Sequence, residues 1–163
     1  VRQQAGVLIA CPGIFYNDVR AKLLERLISL APEGLERAFL CNSGAEAVEA
    51  ALKLARLSTG RTGFVATMRA FHGRTMGALS ATWSPKYRTP YLPLVPGFSH
   101  VRYNDLDAMR AAVNEDTAGV LLEVVQGEGG VNPAKAEYLQ GVRALCDDTG
   151  ALLIIDEVQT GKG

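Results

Sequence analysis

Residues 118–123, Ala-Gly-Val-Leu-Leu-Glu, and residues 151–156, Ala-Leu-Leu-Ile-Ile-Asp, are two uninterrupted apolar runs that each end on a carboxylate. Continuous runs of this kind are expected of strands covered on both faces. Between them, residues 137–147 carry a helical pattern and Gly150 supplies the stop. Strand, helix and strand at this spacing predict a right-handed crossover in a parallel sheet. The fold class expected is therefore α/β, a mostly parallel sheet with helices on both faces.

The rest of the chain extends the pattern. Residues 18–30 place apolar side chains at 19, 23, 24, 27, 28 and 30, a helical spacing closed by Pro32 and Gly34. Residues 37–41 read as a short strand, and the turn Asn42-Ser43-Gly44 opens a helix over 45–57. Ser43 with Glu46 three residues on forms a capping-box pattern. Strands are expected at 63–68 and 100–103, and helices at 77–82 and 105–113. Residues 85–96 form a proline-marked loop. No repeat or internal linker divides the chain, so residues 1–163 read as one segment.

Composition narrows the function classes. The 163 residues are 48% hydrophobic and 21% charged, with 17 Lys+Arg against 17 Asp+Glu. A balanced charge gives no basis for nucleic-acid or anionic-membrane binding. Three cysteines without CxxC spacing (Cys11, Cys41, Cys146) read as free thiols in a reducing compartment, and two histidines do not make a histidine-rich metal site. Pro12-Gly13 interrupts the early apolar stretch, which makes a poor signal peptide. No metal, no membrane and a cytoplasmic location are the expectations.

Ligands of open parallel sheets bind outside the carboxyl ends of the strands, and four polar clusters follow the apolar runs. The first, Asn42-Ser43-Gly44-Ala45, either cradles an anion on the amides of Gly44, Ala45 and Glu46 or is an ordinary helix cap. The second holds Phe71, His72 and Arg74. Here an aromatic and a guanidinium suit a planar ring and a carboxylate, or else serve as core packing and solvated charge. The third runs from Glu123 to Gly130, the fourth from Asp156 to Gly161. Asp156 follows five apolar residues, so its carboxylate needs a cation or strong donors. A protonated pyridine nitrogen or an arginine would satisfy it. Val158, two residues on, is expected on the same strand face, against a flat ring. Glu123 and Glu128 also admit a carboxylate-based hydrolase, although no sugar platform accompanies them.

Together, Asn42-Ser43-Gly44-Ala45-Glu46-Ala47, Phe71-His72-Gly73-Arg74-Thr75, Glu123 to Gly130 and Asp156-Glu157-Val158-Gln159-Thr160-Gly161 resemble the class III aminotransferases of the fold-type I pyridoxal 5′-phosphate enzymes. The four segments occur in family order. The Ala45–Arg56 helix and Tyr103-Asn104-Asp105 place the likeness nearest the acetylornithine and ornithine branch. The resemblance implies the large cofactor-binding domain and the cofactor pyridoxal phosphate. It further implies that Ser43, Gly44 and Ala45 bind the cofactor phosphate, that Phe71 and Val158 cover the two ring faces, that Asp156 pairs with the ring nitrogen and that Gln159 reaches the phenolic oxygen. Arg74 would bind the substrate carboxylate distant from the reacting amine. Glu123 would order the ring's surroundings, and Glu128 would act as a gate by pairing with an arginine of a later domain. The implied reaction moves the ω-amine of N-acetylornithine to 2-oxoglutarate, giving an aldehyde and glutamate in arginine biosynthesis, by a homodimer. Ornithine, 4-aminobutyrate and carrier-bound lysine are the alternative amines.

Two positions depart from the family pattern: Val124 stands where proline is common, and Lys162 stands two residues before the usual arginine. A third feature bears on the chemistry, which needs a Schiff-base lysine. Lys22, Lys53, Lys86, Lys135 and Lys162 all sit where none is expected to fill that role. The start at Val1 and the stop after Gly161-Lys162-Gly163 then read as the central part of a large domain, with the small domain and the lysine strand absent. A non-catalytic, poorly soluble or unstable cofactor-binding fragment is the other expectation for these residues alone.

Overall fold

In the computed structural model, which describes residues 1–161, the chain forms two compact units, Val1–Leu40 and the residues from Cys41 onward. The first unit holds helices α1 (Arg2–Ala5) and α2 (Asp18–Leu30). Asn17 caps α2 by accepting from the Arg20 amide at 2.9 Å. The α2 boundaries are those its periodicity predicts, yet none of its residues is buried.

The expected strand at 37–41 is not formed. These residues enter no ladder, and Phe39 and Leu40 lie exposed. A β-branched-poor pentapeptide with no neighbour to pair with has nothing to hold it as a strand.

The second unit runs α3 (Gly44–Thr59), β1 (Gly63–Thr67), α4 (Met76–Ala81), α5 (Pro85–Arg88), a 3₁₀ turn at Thr89–Tyr91, β2 (Phe98–Val101), α6 (Leu106–Ala112), β3 (Thr117–Glu123), β4 (Val125–Gln126), β5 (Asn132–Pro133), α7 (Ala136–Thr149) and β6 (Leu152–Asp156). Four strands make a sheet in the order β2-β1-β3-β6, with every pairing parallel. β4 and β5 form a separate antiparallel pair. The proline-marked loop is more ordered than its composition suggests, since it contains both α5 and the 3₁₀ turn.

Helices cover both faces of the sheet. On one, Val48, Leu52 and Ala55 of α3 and Ala78 and Ala81 of α4 pack with Phe64, Ala66 and Leu121. On the other, Met109 of α6 and Tyr138, Val142 and Cys146 of α7 pack with Val65, Val120 and Leu122. β3 is buried along its whole length, as a central strand must be.

β6 departs from the expectation of two covered faces, because Leu152 and Ile155 are each 37% exposed. It is one of the two edge strands among the described residues, β2 being the other. The register Glu123↔Asp156 aligns the last residues of β3 and β6, so two carboxylates leave the sheet side by side.

The three cysteines are free. Burial pushes the Cys146 thiol up to about 11, while Cys11 and Cys41 are only half-buried. Alkylation of the native protein at mildly alkaline pH should therefore modify Cys11 and Cys41 and reach Cys146 only after denaturation. Equal reactivity at all three, read by peptide mass spectrometry, would contradict the packing of α7 on the sheet.

Candidate active site

A cavity of about 280 Å³ opens where residues of all four clusters meet: Gly44 and Ala45, Phe71 to Arg74, Glu123, and Asp156 with Val158 and Gln159 line it. Each arrives by a different local device.

The first device is the start of α3. Ser43 Oγ accepts from the Glu46 amide at 3.2 Å, and the Glu46 carboxylate accepts from the Asn42 amide at 2.7 Å. These contacts hold the Glu46 carboxyl below its ordinary range, the Asn42 amide being the main cause. The capping contact spends the Glu46 amide, so the expectation that three amides face outward is corrected to two, those of Gly44 and Ala45. Nor does this cluster follow a strand; it enters the site from irregular chain. Gly44 is needed because a Cβ there would lie 2.7 Å from Val158 Cγ2.

The second is the chain leaving β1. Arg69 adopts a left-handed conformation, φ 66°, and turns the backbone so that residues 71–74 lie over the end of the sheet. The Trp83 amide donates to the Ala70 carbonyl at 2.9 Å, and the His72 amide donates to Thr82 Oγ1 at 2.9 Å. Gly73 has φ 131°, and a Cβ would meet Ala45 Cβ at 2.9 Å. This close approach joins the loop to α3.

Asp156 ends β6. No arginine partners its carboxylate among the described residues; Oδ2 lies 2.8 Å from His72 Nδ1, with side chains 6% and 0% exposed. His72, which stood out in the sequence only as a neighbour of Phe71 and Arg74, is the residue that sequence reasoning missed. Its signal was the demand of a buried carboxylate for a donor, together with only two histidines in the chain. The opposite ring nitrogen, Nε2, is buried without a hydrogen-bond partner among the described residues.

The other Asp156 oxygen accepts from the Val158 amide at 3.0 Å. That contact corrects the expected placement of Val158. The strand has ended, and the side chain reaches the cavity because Asp156 folds the turn back over it, not by strand alternation. Gln159 follows in the same turn and lines the cavity.

Glu123 is buried and accepts from the Phe71 amide at 3.2 Å and the Gly127 amide at 3.3 Å. Burial pushes its carboxyl up from the ordinary 4.5, against those two donors and nearby His72, with the Asp156 charge adding to the rise. Tyr103 Oη donates to the Glu123 carbonyl at 2.7 Å and steadies the strand end.

Glu128 does not join this set. It lines an adjoining groove of about 370 Å³ with Phe71, Lys86 and Tyr87, and its carboxylate accepts from Tyr87 Oη at 2.8 Å. Glu123 and Glu128 thus face different cavities, which does not favour their acting as the pair a glycosidase needs. Arg74 lies with its guanidinium carbon 5.4 Å from the Phe71 ring centre. Among the described residues, no lysine lines the 280 Å³ cavity. Lys86 belongs to the adjoining groove, and Lys162 lies outside the described residues. Among the described residues there is no cluster of three potential metal ligands, and no helix is long and apolar enough to cross a membrane.

The cavity therefore offers two free helix-terminal amides, a buried carboxylate backed by a histidine, and apolar walls from Phe71 and Val158. Such a set suits a flat, cationic heteroaromatic ring bearing an anionic arm. The family model for class III aminotransferases matches residues 1–163, and the chain belongs to that family. It is 51% identical over 163 residues to an acetylornithine aminotransferase of Methanopyrus kandleri, covering all of this chain and 42% of the relative. It is 53% identical to a LysW-aminoadipate semialdehyde transaminase of Deinococcus radiodurans, covering 99% of this chain and 38% of the relative. An ornithine aminotransferase structure from Toxoplasma gondii, with partial occupancy of PLP at its active site, superposes with a TM-score of 0.90. It is 33% identical, and the match covers 98% of this chain and 40% of that one. The chain spans about two fifths of the length of the curated relatives it matches.

The raised Glu123 carboxyl gives a pH test. A carboxyl that holds its proton longer in the folded than in the unfolded chain makes the wild type lose stability as pH rises from about 4.5 through the raised folded value. Glu123→Gln, which lacks this titration, costs stability at every pH by misplacing one amide partner. Its offset from wild type in urea midpoint should narrow as pH rises through that window. An offset that widens would mean that Glu123 is stabilised in its ionised form.

Proposed function

We propose that the protein is a pyridoxal-phosphate-dependent aminotransferase that transfers the ω-amino group of N-acetylornithine to 2-oxoglutarate, yielding the aldehyde and glutamate, in the biosynthesis of arginine. The observation that carries this reading is the buried Asp156–His72 pair facing the same cavity as the free amides of α3. Pyridoxal phosphate, when bound, supplies an electron-withdrawing ring that stabilises negative charge at the carbon losing its proton.

The chain's residues divide the work. The Gly44 and Ala45 amides, with Ser43 beside them, hold the phosphate at the positive end of the α3 dipole. Phe71 and Val158, which line the cavity, would cover the ring faces and exclude water, and Gln159 would hold the phenolic oxygen. Asp156 keeps a proton on the ring nitrogen. His72 holds the Asp156 carboxylate in place with its other side shielded from solvent. Glu123 orders the site by holding the Phe71 and Gly127 amides. Arg74, outside the ring cavity's apolar part, takes the substrate carboxylate distant from the amine. Glu128 is the gate, and pairs with an arginine from outside these residues to let one site accept both an ω-amine and glutamate.

A lysine to hold the cofactor would come from sequence outside these 163 residues, which would form the central part of the large domain. The absence of a lysine from the cavity lining among the described residues and the greater length of the relatives support this division. Alone, the residues would bind the cofactor without turnover. The protein acts as a cytoplasmic homodimer. Relatives that are acetylornithine aminotransferases support N-acetylornithine as the amine, and those that are LysW-aminoadipate semialdehyde transaminases support carrier-bound lysine as the first alternative, before ornithine or 4-aminobutyrate.

Full-length protein loaded with pyridoxal phosphate should release glutamate from N-acetylornithine and 2-oxoglutarate faster than from any of the three alternative amines. Asp156→Ala removes the partner of a buried cation, a loss of about 3–5 kcal/mol, and should weaken cofactor binding by about 100-fold or more in equilibrium dialysis. Full binding by Asp156→Ala, or no glutamate formation by wild type, would refute the reading.

A further inference from the structure

Arg74 stands on a short stretch of chain that α3 holds at two points. Before it, Gly73 lies so near α3 that a Cβ there would meet Ala45 Cβ at 2.9 Å. After it, one oxygen of Glu49 accepts three hydrogen bonds. They come from Thr75 Oγ1 at 2.6 Å, the Gly77 amide at 2.8 Å and the Ala78 amide at 3.1 Å. Ala45 and Glu49 are about one helical turn apart and so lie on the same face of α3. One helix thus carries both the Ala45 amide of the proposed phosphate cradle and the carboxylate that grips the chain just past Arg74.

The two amides that Glu49 takes are those from which a helix's own cap residue ordinarily accepts. Thr75 caps α4, yet its side chain makes no capping hydrogen bond; its hydroxyl donates to Glu49 instead. A self-capped α4 would satisfy its amides wherever the helix lay. Capped from α3, its start is held at one place. Gly77 makes the approach possible, since a Cβ there would lie 2.9 Å from Glu49 Cδ. No cation pairs with Glu49 among the described residues, so its carboxylate is left to these donors. The Phe71 and Tyr87 rings, whose centres lie 5.4 and 5.8 Å from the Arg74 guanidinium carbon, guide the side chain but do not fix its backbone.

We infer that Glu49 is a positioning residue that acts through Arg74: by tethering Thr75, Gly77 and Ala78 to α3, it sets where the guanidinium stands relative to the Gly44 and Ala45 amides. The inference rests on Arg74 as the carboxylate site of the proposed reaction. Without the Glu49 carboxylate, the chain after Arg74 loses three hydrogen bonds to α3, and the guanidinium no longer meets the carboxylate of an amine held at the cofactor. The effect falls on carboxylate-bearing substrates and not on cofactor binding, since Glu49 does not line the 280 Å³ cavity.

The test uses full-length, cofactor-loaded protein with 2-oxoglutarate and two amines, N-acetylornithine and N-acetylputrescine, which is the same amine without the carboxylate. The ratio of their kcat/KM values reads the contact between Arg74 and that carboxylate. Glu49→Ala should lower the ratio about 10-fold or more, since a displacement of about 1 Å can cost about 100-fold. Its pyridoxal-phosphate affinity should match that of wild type. Glu49→Gln, which keeps an acceptor oxygen at the same reach, should recover part of the ratio. In an Arg74→Ala background, Glu49→Ala should not lower the ratio further. Thr75→Val removes one donor and keeps the carboxylate; it should lower the ratio about 3-fold, the order expected for one lost hydrogen bond, and it decides the matter if Glu49→Ala does not fold.

An unchanged ratio in Glu49→Ala, or in Thr75→Val where the former does not fold, overturns the inference and leaves the aminotransferase reading intact. A ratio in Glu49→Gln as low as in Glu49→Ala also overturns it, because an acceptor at this place would then not be what counts. So does a further fall in the Arg74→Ala background, since Glu49 would then act by another route. Equal use of the two amines by wild type removes Arg74 as the carboxylate site, and this inference with it. Glutamate formed from neither amine refutes the aminotransferase reading itself.

Discussion

A carboxylate buried at the end of a strand is the constraint around which the site is arranged. Asp156 leaves the sheet with its side chain almost wholly shielded, and an unpaired charge there would be strongly unfavourable. Its needs shape three segments. His72 must lie within hydrogen-bond reach, which requires the left-handed turn at Arg69 and the anchors at Thr82 and Ala70. The chain after Asp156 must fold back so that the Val158 amide meets the second oxygen. Val158 can occupy that position only because Gly44 has no side chain, which ties the start of α3 to the end of β6.

Glu123 shows how environment separates two carboxylates that share a register. It pairs with Asp156 across β3 and β6, and its two backbone donors do not offset its burial, so its carboxyl is raised. Asp156 has a histidine ring nitrogen and a backbone amide as partners. Both line the same cavity, but Glu123 is held by two backbone amides alone, whereas Asp156 has a buried histidine beside it.

Much of this was legible in the sequence, for identifiable reasons. The apolar run at 118–122 is a strand because its burial on both sides demands an unbroken pattern. Ser43 and Glu46 announced the start of α3 through local hydrogen bonds confined to the five residues 42–46. What escaped was set by tertiary placement. The segment 37–41 has strand-like residues but no ladder partner, and β6 lies at an edge that its composition does not reveal. The His72–Asp156 contact spans 84 residues, a separation at which periodicity carries no information. The hydrogen bond of Tyr87 to Glu128 was hidden by the prolines around it, which read as a loop although residues 85–88 form a helical turn.

The central claim is that the Asp156–His72 pair holds a proton on the ring nitrogen of a bound cofactor. The most direct measurement is the ¹⁵N chemical shift of that nitrogen in full-length protein loaded with ring-¹⁵N pyridoxal phosphate. A protonated pyridinium resonance that persists into the alkaline range, well above the titration of the free cofactor, is expected. An unprotonated pyridine resonance at neutral pH would contradict the claim.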